Sequence, residues 1–178
     1  MKYSRSRLIL VACGCLMAVW TPITAQPAPD AFQDIAFLVG LWEGQSEGQP
    51  GNGTVRRDYE RVLDGTFIRV QNTSTYLPQP KNPKGEVHQD VGYISRDGAR
   101  QRLVLRQFHS EGFVNQYVQE PATLVFVSEA IENISAGYRA RESYVRTGPD
   151  TFEETFELAE PGKDWLVYSR TRFRRVRP

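Results

Sequence analysis

The feature that most constrains this chain is its punctuation. From Trp42 onward, turn signals recur at hairpin spacing and leave no room for long helices. Leu63-Asp64-Gly65, Arg96-Asp97-Gly98, Ser110-Glu111-Gly112, Gly148-Pro149-Asp150 and Pro161-Gly162-Lys163-Asp164 each separate stretches rich in Val, Ile, Thr, Phe and Tyr. Reading Gly51-Asn52-Gly53 as a further turn gives ten strands. They are 42–48, 55–62, 66–76, 87–95, 101–109, 113–119, 123–128, 136–146, 151–158 and 165–175. Short turns force neighbours to run antiparallel. A long meander exposes unpaired edges unless it closes. The expected fold class is therefore all-β: a single antiparallel up-and-down β-barrel of about ten strands.

A short N-terminal helix is expected ahead of the first strand. Asp30 is placed as its N-cap, with Phe32, Ile35, Ala36 and Leu38 on its packed face and Gly40 at its end.

The first residues have the organisation of a secretory signal. Lys2, Arg5 and Arg7 precede an uncharged run from Leu8 to Trp20, which Thr21-Pro22 breaks before Ala25. The run is shorter than the roughly 20 residues of a spanning helix. The expected organisation is a signal peptide over 1–25, a linker and short helix over 26–39, and the barrel over 40–178, in a periplasmic or secreted protein without a stable membrane anchor. Leu10-Val11-Ala12-Cys13 also resembles a lipoprotein cleavage box, but too little apolar sequence precedes it.

Cleavage after Ala25 removes both cysteines, Cys13 and Cys15. Disulfide, thiolate and Cys–metal chemistry would go with them. It also removes three basic residues, leaving 19 against 21 acidic, so the net charge passes from +1 to −2. Nothing in that balance draws the chain to nucleic acid. The Arg-rich tail (Arg170, Arg172, Arg174, Arg175, Arg177) faces Glu153 to Glu157 across a hairpin, which suits cross-strand ion pairs.

Gly40-Leu41-Trp42, lying where the helix meets the first strand, resembles the Gly-x-Trp of lipocalin-like (calycin) barrels. With Leu63-Asp64-Gly65-Thr66-Phe67, Val91-Gly92-Tyr93, Tyr168-x-Arg170 and Phe173-Arg174-Arg175, it is similar to bacterial lipocalin-like domains of unknown function and to nitrobindin-type heme-binding barrels. The resemblance implies that Trp42 closes one barrel end under a basic residue of the last strand. Arg170, Arg172 and Arg174 are the candidates, and Gly40, Trp42 and Arg172 are taken as the closure set. It also implies a heme reading. The proximal His that those barrels supply near their C-terminal end is missing, because the chain has only His88 and His109.

Side chains alternate in and out along a strand. Taking the more apolar face of each as interior, Leu103 and Leu105 bring Gln107. Phe113 brings Asn115 and Tyr117, and Tyr138 with Ala140 brings Glu142 and Tyr144. Phe152 and Phe156 bring Glu154, and Phe67 brings Arg69 and Gln71. On the last strand either Trp165-Val167-Phe173 or Tyr168-Arg170-Arg172 faces inward. Polar groups among aromatics either pair and meet a ligand, or lie wet at an open mouth.

Arg69, Gln107, Asn115, Tyr117, Glu142 and Tyr144 are the expected ligand-binding residues, for one small hydrophobic or amphipathic molecule. No metal site is expected, because neither His belongs to a ligand constellation in the sequence. The alternatives are heme held by His109 or His88, or a weak hydrolase or isomerase using Glu142 or His109 as base. No nucleophile elbow is present, and binding is favoured over catalysis.

Overall fold

The computed structural model describes residues 30–177. The expected signal peptide, the linker over 26–29 and the lipoprotein box lie outside them. Ten strands follow one another around a closed antiparallel barrel: β1 (Gly40–Gly48), β2 (Gly51–Val62), β3 (Phe67–Tyr76), β4 (Glu86–Asp97), β5 (Arg102–His109), β6 (Val114–Gln119), β7 (Val125–Glu132), β8 (Arg139–Gly148), β9 (Thr151–Ala159) and β10 (Leu166–Arg175). Each pairs with its neighbour in sequence, and β1 pairs with β10 to close the ring. Closure removes every edge that a ten-strand meander would leave unpaired.

The turns follow their local chemistry. Leu63, Asp64 and Gly65 all take left-handed backbone angles between β2 and β3. After β4, one carboxylate oxygen of Asp97 accepts hydrogen bonds from the amides of Ala99 and Arg100, both 3.0 Å, and so holds the loop in shape. One expected turn is misplaced. Gly51-Asn52-Gly53 belongs to β2, and the chain reverses at Gln49-Pro50 instead.

The segment before β1 is not an α-helix. It is a six-residue 3-10 helix, Gln33–Leu38, closed by i to i+3 bonds such as Ile35 N–H to Phe32 C=O at 3.0 Å. Phe32, Ile35 and Leu38 repeat every third residue, which is the 3-10 period, and all three are buried. Asp30 does not cap the helix. Its carboxylate accepts from the Phe32 amide at 3.0 Å and pairs with Arg61 of β2.

These residues plug one end of the barrel. The Trp42 indole is fully buried and donates to the Leu38 carbonyl at 2.6 Å. Its ring meets Phe152 edge-on at 4.7 Å, and Phe152 stacks on Phe173 at 4.6 Å.

The cation over Trp42 is Arg175, not Arg172. Arg175 lies directly opposite Trp42 in the β1–β10 register, with its guanidinium 4.2 Å from the ring centroid. It also donates to the carbonyls of Val39 at 2.7 Å and Phe37 at 2.6 Å, tying the last strand to the chain entry. Arg172 points outward, between Glu47 and Glu153. The cause is a bulge between Val167 and Ser169, which shifts the phase of β10. Thr171, Phe173 and Arg175 then share the inner side.

Gly40 is required for the same contact. Its φ is +122°, and a Cβ there would lie 2.6 Å from an Arg175 guanidinium nitrogen.

Candidate functional site

Below the aromatic plug the interior opens into a cavity of about 660 Å³. Its mouth lies at the barrel end carrying the β1–β2, β3–β4, β5–β6, β7–β8 and β9–β10 connections, opposite the 3-10 helix. Phe113, Ile131, Phe156 and Leu158 form much of the apolar wall.

Of the six expected ligand-binding residues, four line this cavity: Gln107, Asn115, Tyr117 and Glu142. All four are buried. Tyr144 is also buried, but it lies behind the wall, where its hydroxyl donates to Glu142. Arg69 is on the outside of the barrel, paired with Glu60 of β2 at 2.5 Å. The inner face of β3 is Ile68, Val70, Asn72, Ser74 and Tyr76, so Gln71 faces outward as well. Phe67, beside the β2–β3 turn, is a poor guide to the face, whereas the aliphatic pair Ile68 and Val70 marks it. On β10 each expected set is split: Phe173 of the first and Tyr168 of the second face in, and Arg172 faces out. Both Tyr168 and Ser169 line the cavity, because the bulge turns two consecutive residues to the same side.

The residues missed by sequence reading form the deepest polar layer. Arg57 on β2 is buried in the middle of the barrel and pairs with Glu154 of β9 from across the interior. It also donates from Nε to Asn72 Oδ1 at 3.0 Å and from a terminal nitrogen to the Tyr59 hydroxyl at 3.3 Å. Burial works against the guanidinium charge, but the facing Glu154 carboxylate, together with Tyr59, Tyr144 and Asp90, outweighs it and holds Arg57 protonated. Beside this pair, burial and the Glu154 charge push the Glu142 carboxyl up to about 7. Burial also raises Tyr59, Tyr117 and Tyr144, so the phenols stay neutral hydrogen-bonding groups.

A chain of contacts runs from Arg57 to the mouth. Asn72 Nδ2 donates to Asp90 Oδ2 at 2.8 Å. Asp90 Oδ2 lies 3.4 Å from His88 Nε2, which lies 3.3 Å from His109 Nδ1. His88 Nδ1 is 2.7 Å from Glu111 Oε1 in the β5–β6 turn. His109 Nε2 is 3.3 Å from the Asn115 amide, whose Nδ2 donates to the Tyr117 hydroxyl at 2.7 Å.

The two imidazoles behave oppositely. The contact with Asp90, helped by Glu111, lifts His88 to about 9 against the cost of burial. Burial drives His109 down to about 4. Asp90 is held low despite burial, because His88 sits against it. Three buried acceptors on lining residues have no partner among the described residues: Asp90 Oδ1, Gln107 Oε1 and Asn115 Oδ1.

Neither His was assigned to a constellation from the sequence, since they lie 21 positions apart. The signal available was the hairpin at Arg96-Asp97-Gly98, which sets Asp90 opposite His109. His88 lies two residues further along the same face.

No protein-family model matches the chain, and a comparison with curated proteins finds no match. Solved structures do resemble it. The crystal structure of Rv2717c from M. tuberculosis superposes with a TM-score of 0.60 at 17% identity, over 84% of this chain and 99% of that one. A de novo designed fluorescence-activating β-barrel gives a TM-score of 0.41 at 16% identity, over 84% of this chain and 100% of the design. At this identity the likeness to Rv2717c concerns the fold, and the chain is shown to be a closed, ten-stranded antiparallel β-barrel.

Proposed function

We propose that this protein is an exported carrier or sensor that holds one small amphipathic molecule in its barrel, in the manner of lipocalin-like proteins. The observation that carries this reading is the cavity. Its volume of about 660 Å³ falls within the range of small-molecule sites, and aromatic and aliphatic walls surround a few convergent polar groups. A barrel whose only task was stability would fill that space with apolar side chains. Gln107, Asn115, Tyr117 and Glu142 are the polar contacts for the ligand, with Arg57, Asn72 and Asp90 behind them.

The export half of the proposal rests on the first 25 residues. Expression with the complete N-terminus in a Gram-negative host, followed by N-terminal sequencing of the periplasmic protein, should give a chain starting at Gln26. A cytoplasmic protein retaining Met1 would contradict it.

The binding half is tested by denaturing the purified protein and analysing the extract by mass spectrometry. One small molecule should recur at stoichiometric amount and be lost when Asn115 is replaced by Leu or Ala140 by Phe. An empty cavity after native purification, with no saturable uptake of apolar fluorescent probes, would sink it. Hemin added to the same protein tests the heme alternative. A Soret band abolished by His109→Ala or His88→Ala would replace the carrier reading with that one.

A further inference from the structure

The geometry points to a divalent transition-metal site at the cavity mouth, with His88, His109 and a neighbouring carboxylate as ligands, Glu111 and Asp90 lying against the two nitrogens of the His88 ring. This goes beyond the carrier reading and does not depend on it, because the metal itself is the ligand tested.

The spacing of the donor atoms suits a metal. Zinc–nitrogen and zinc–carboxylate bonds of about 2.0–2.1 Å at the tetrahedral angle place neighbouring donor atoms about 3.3–3.4 Å apart. His88 Nε2 and His109 Nδ1 are separated by 3.3 Å, and His88 Nε2 and Asp90 Oδ2 by 3.4 Å. A ring nitrogen of each His and a Glu111 oxygen also lie within 4.8 Å of one another, so a carboxylate on the turn is in reach as well.

The surroundings of His88 also suit a ligand. A ligating His normally gives its other N–H to a carboxylate, which fixes the ring and strengthens the donor nitrogen. Glu111 Oε1 lies 2.7 Å from His88 Nδ1, whereas His109 Nδ1 approaches the other ring nitrogen, Nε2, at 3.3 Å. With the proton on Nδ1, the lone pair of Nε2 points toward His109 and Asp90. The ring of His109 is fixed by stacking on Phe113, with centroids 4.0 Å apart.

Asp90 supplies a buried carboxylate beside the His88 ring. Its side chain is only 5% exposed, it is held by Asn72, and its Oδ1 has no partner among the described residues. A buried carboxylate oxygen without a partner, beside the His88 ring, has a lone pair free to ligate a metal.

Two imidazoles with a carboxylate favour zinc, cobalt, nickel or copper over magnesium and calcium. All three ligands line the cavity, so a remaining coordination position faces the space where a small molecule would enter.

The test uses tag-free protein stripped with a chelator, so that no added His competes. Zn2+ is titrated by calorimetry, Co2+ by visible absorption, and the 1:1 zinc complex is examined by X-ray absorption. One equivalent should bind, with the strong d–d bands of four-coordinate Co2+ and the scattering of two imidazoles plus oxygen donors. His88→Ala and His109→Ala should each remove the site. Glu111→Gln should weaken it by about 10–100-fold, as for an outer-shell partner. Glu157→Gln, on a carboxylate paired with Arg141 away from these ligands, should leave it unchanged.

No saturable uptake by the unmodified protein would overturn the proposal. So would a zinc spectrum without imidazole scattering, or undiminished affinity in a folded His88→Ala/His109→Ala double variant. The X-ray absorption measurement needs no variant, so a misfolded mutant does not leave the question open.

Discussion

At one end of the barrel, Trp42, Phe152 and Phe173 meet ring against ring, with Phe32, Ile35 and Leu38 of the 3-10 helix packed among the same buried residues. At the other, the same strands carry Arg57, Asp90, His88, His109 and Glu142 toward an opening. At the closed end Arg175 directs its donors to two backbone carbonyls and lays its guanidinium on an indole face, and Arg61 and Arg146 lie over the rings of Phe32 and Phe37. The open end keeps charges buried and pairs them with one another, with acceptors left over. The aromatic plug gains from every apolar contact. The polar half invests in groups that are stable only while their partners stay in place. Natural cores usually carry that cost at functional sites, and this difference marks the open end as the candidate site without knowledge of the ligand.

Substitutions can break or sharpen the comparison. The largest losses should come from the two centres. Phe152→Ala at the closed end should cost about 3–5 kcal/mol, as for other buried aromatics, measured by urea denaturation. Arg57→Met should cost a similar amount, about 3–5 kcal/mol, because it leaves the Glu154 carboxylate buried and uncompensated. The two then diverge. Adding Glu154→Met to Arg57→Met should restore most of the loss, whereas no second change of that kind rescues Phe152→Ala. A double variant as unstable as the single one would show that the polar half is ordinary packing.

Glu142 gives the pH signature of the polar half. Its folded pKa of about 7 lies above the ordinary 4.5. The folded state therefore holds a proton that the unfolded state releases. The stability contributed is complete below pH 4.5 and is lost as pH rises through 7. Glu142→Gln should remove this fall and stabilise the protein at pH 8 by an amount on the order of 1–3 kcal/mol. Melting temperatures measured from about pH 4 to 8 on both proteins check it. Parallel curves would mean that Glu142 does not titrate in this window.

Smaller effects separate the arginines. Arg175→Ala removes two carbonyl contacts and the cover over Trp42, and should cost about 2 kcal/mol. Arg172→Ala and Arg69→Ala, on the outer surface, should stay within about 1 kcal/mol. Equal losses for Arg175 and Arg172 would contradict the assignment of the barrel cap.

Much of the fold was legible because hairpin turns and strand composition are local. The strand count, the antiparallel order and the need for closure follow from turn residues spaced along the chain. The inner faces of β5, β6, β8 and β9 were readable where apolar residues alternate cleanly, as in Leu103, Leu105 and Gln107. The faces of β3 and β10 were not. A single aromatic beside a turn misled the first, and a bulge divides the second between the two alternatives its sequence left open. A bulge leaves no simple mark in sequence, yet it decides that Arg175 caps Trp42 and that Arg172 does not.

What the sequence determined by itself, then, is the all-β meander and the polar residues carried on four of the strands, the Gly40–Trp42 closure point being implied only by the resemblance to lipocalin-like barrels. These are period-two patterns and turn propensities, which operate over a few residues. Only the tertiary structure decided that Arg57 reaches Glu154 across the barrel, and that Asp90, His88 and His109 form one cluster with Glu111. The His88–His109 and Arg57–Glu154 contacts join residues 21 and 97 positions apart. They depend on register and on closure of the ring, which are settled by all ten strands together.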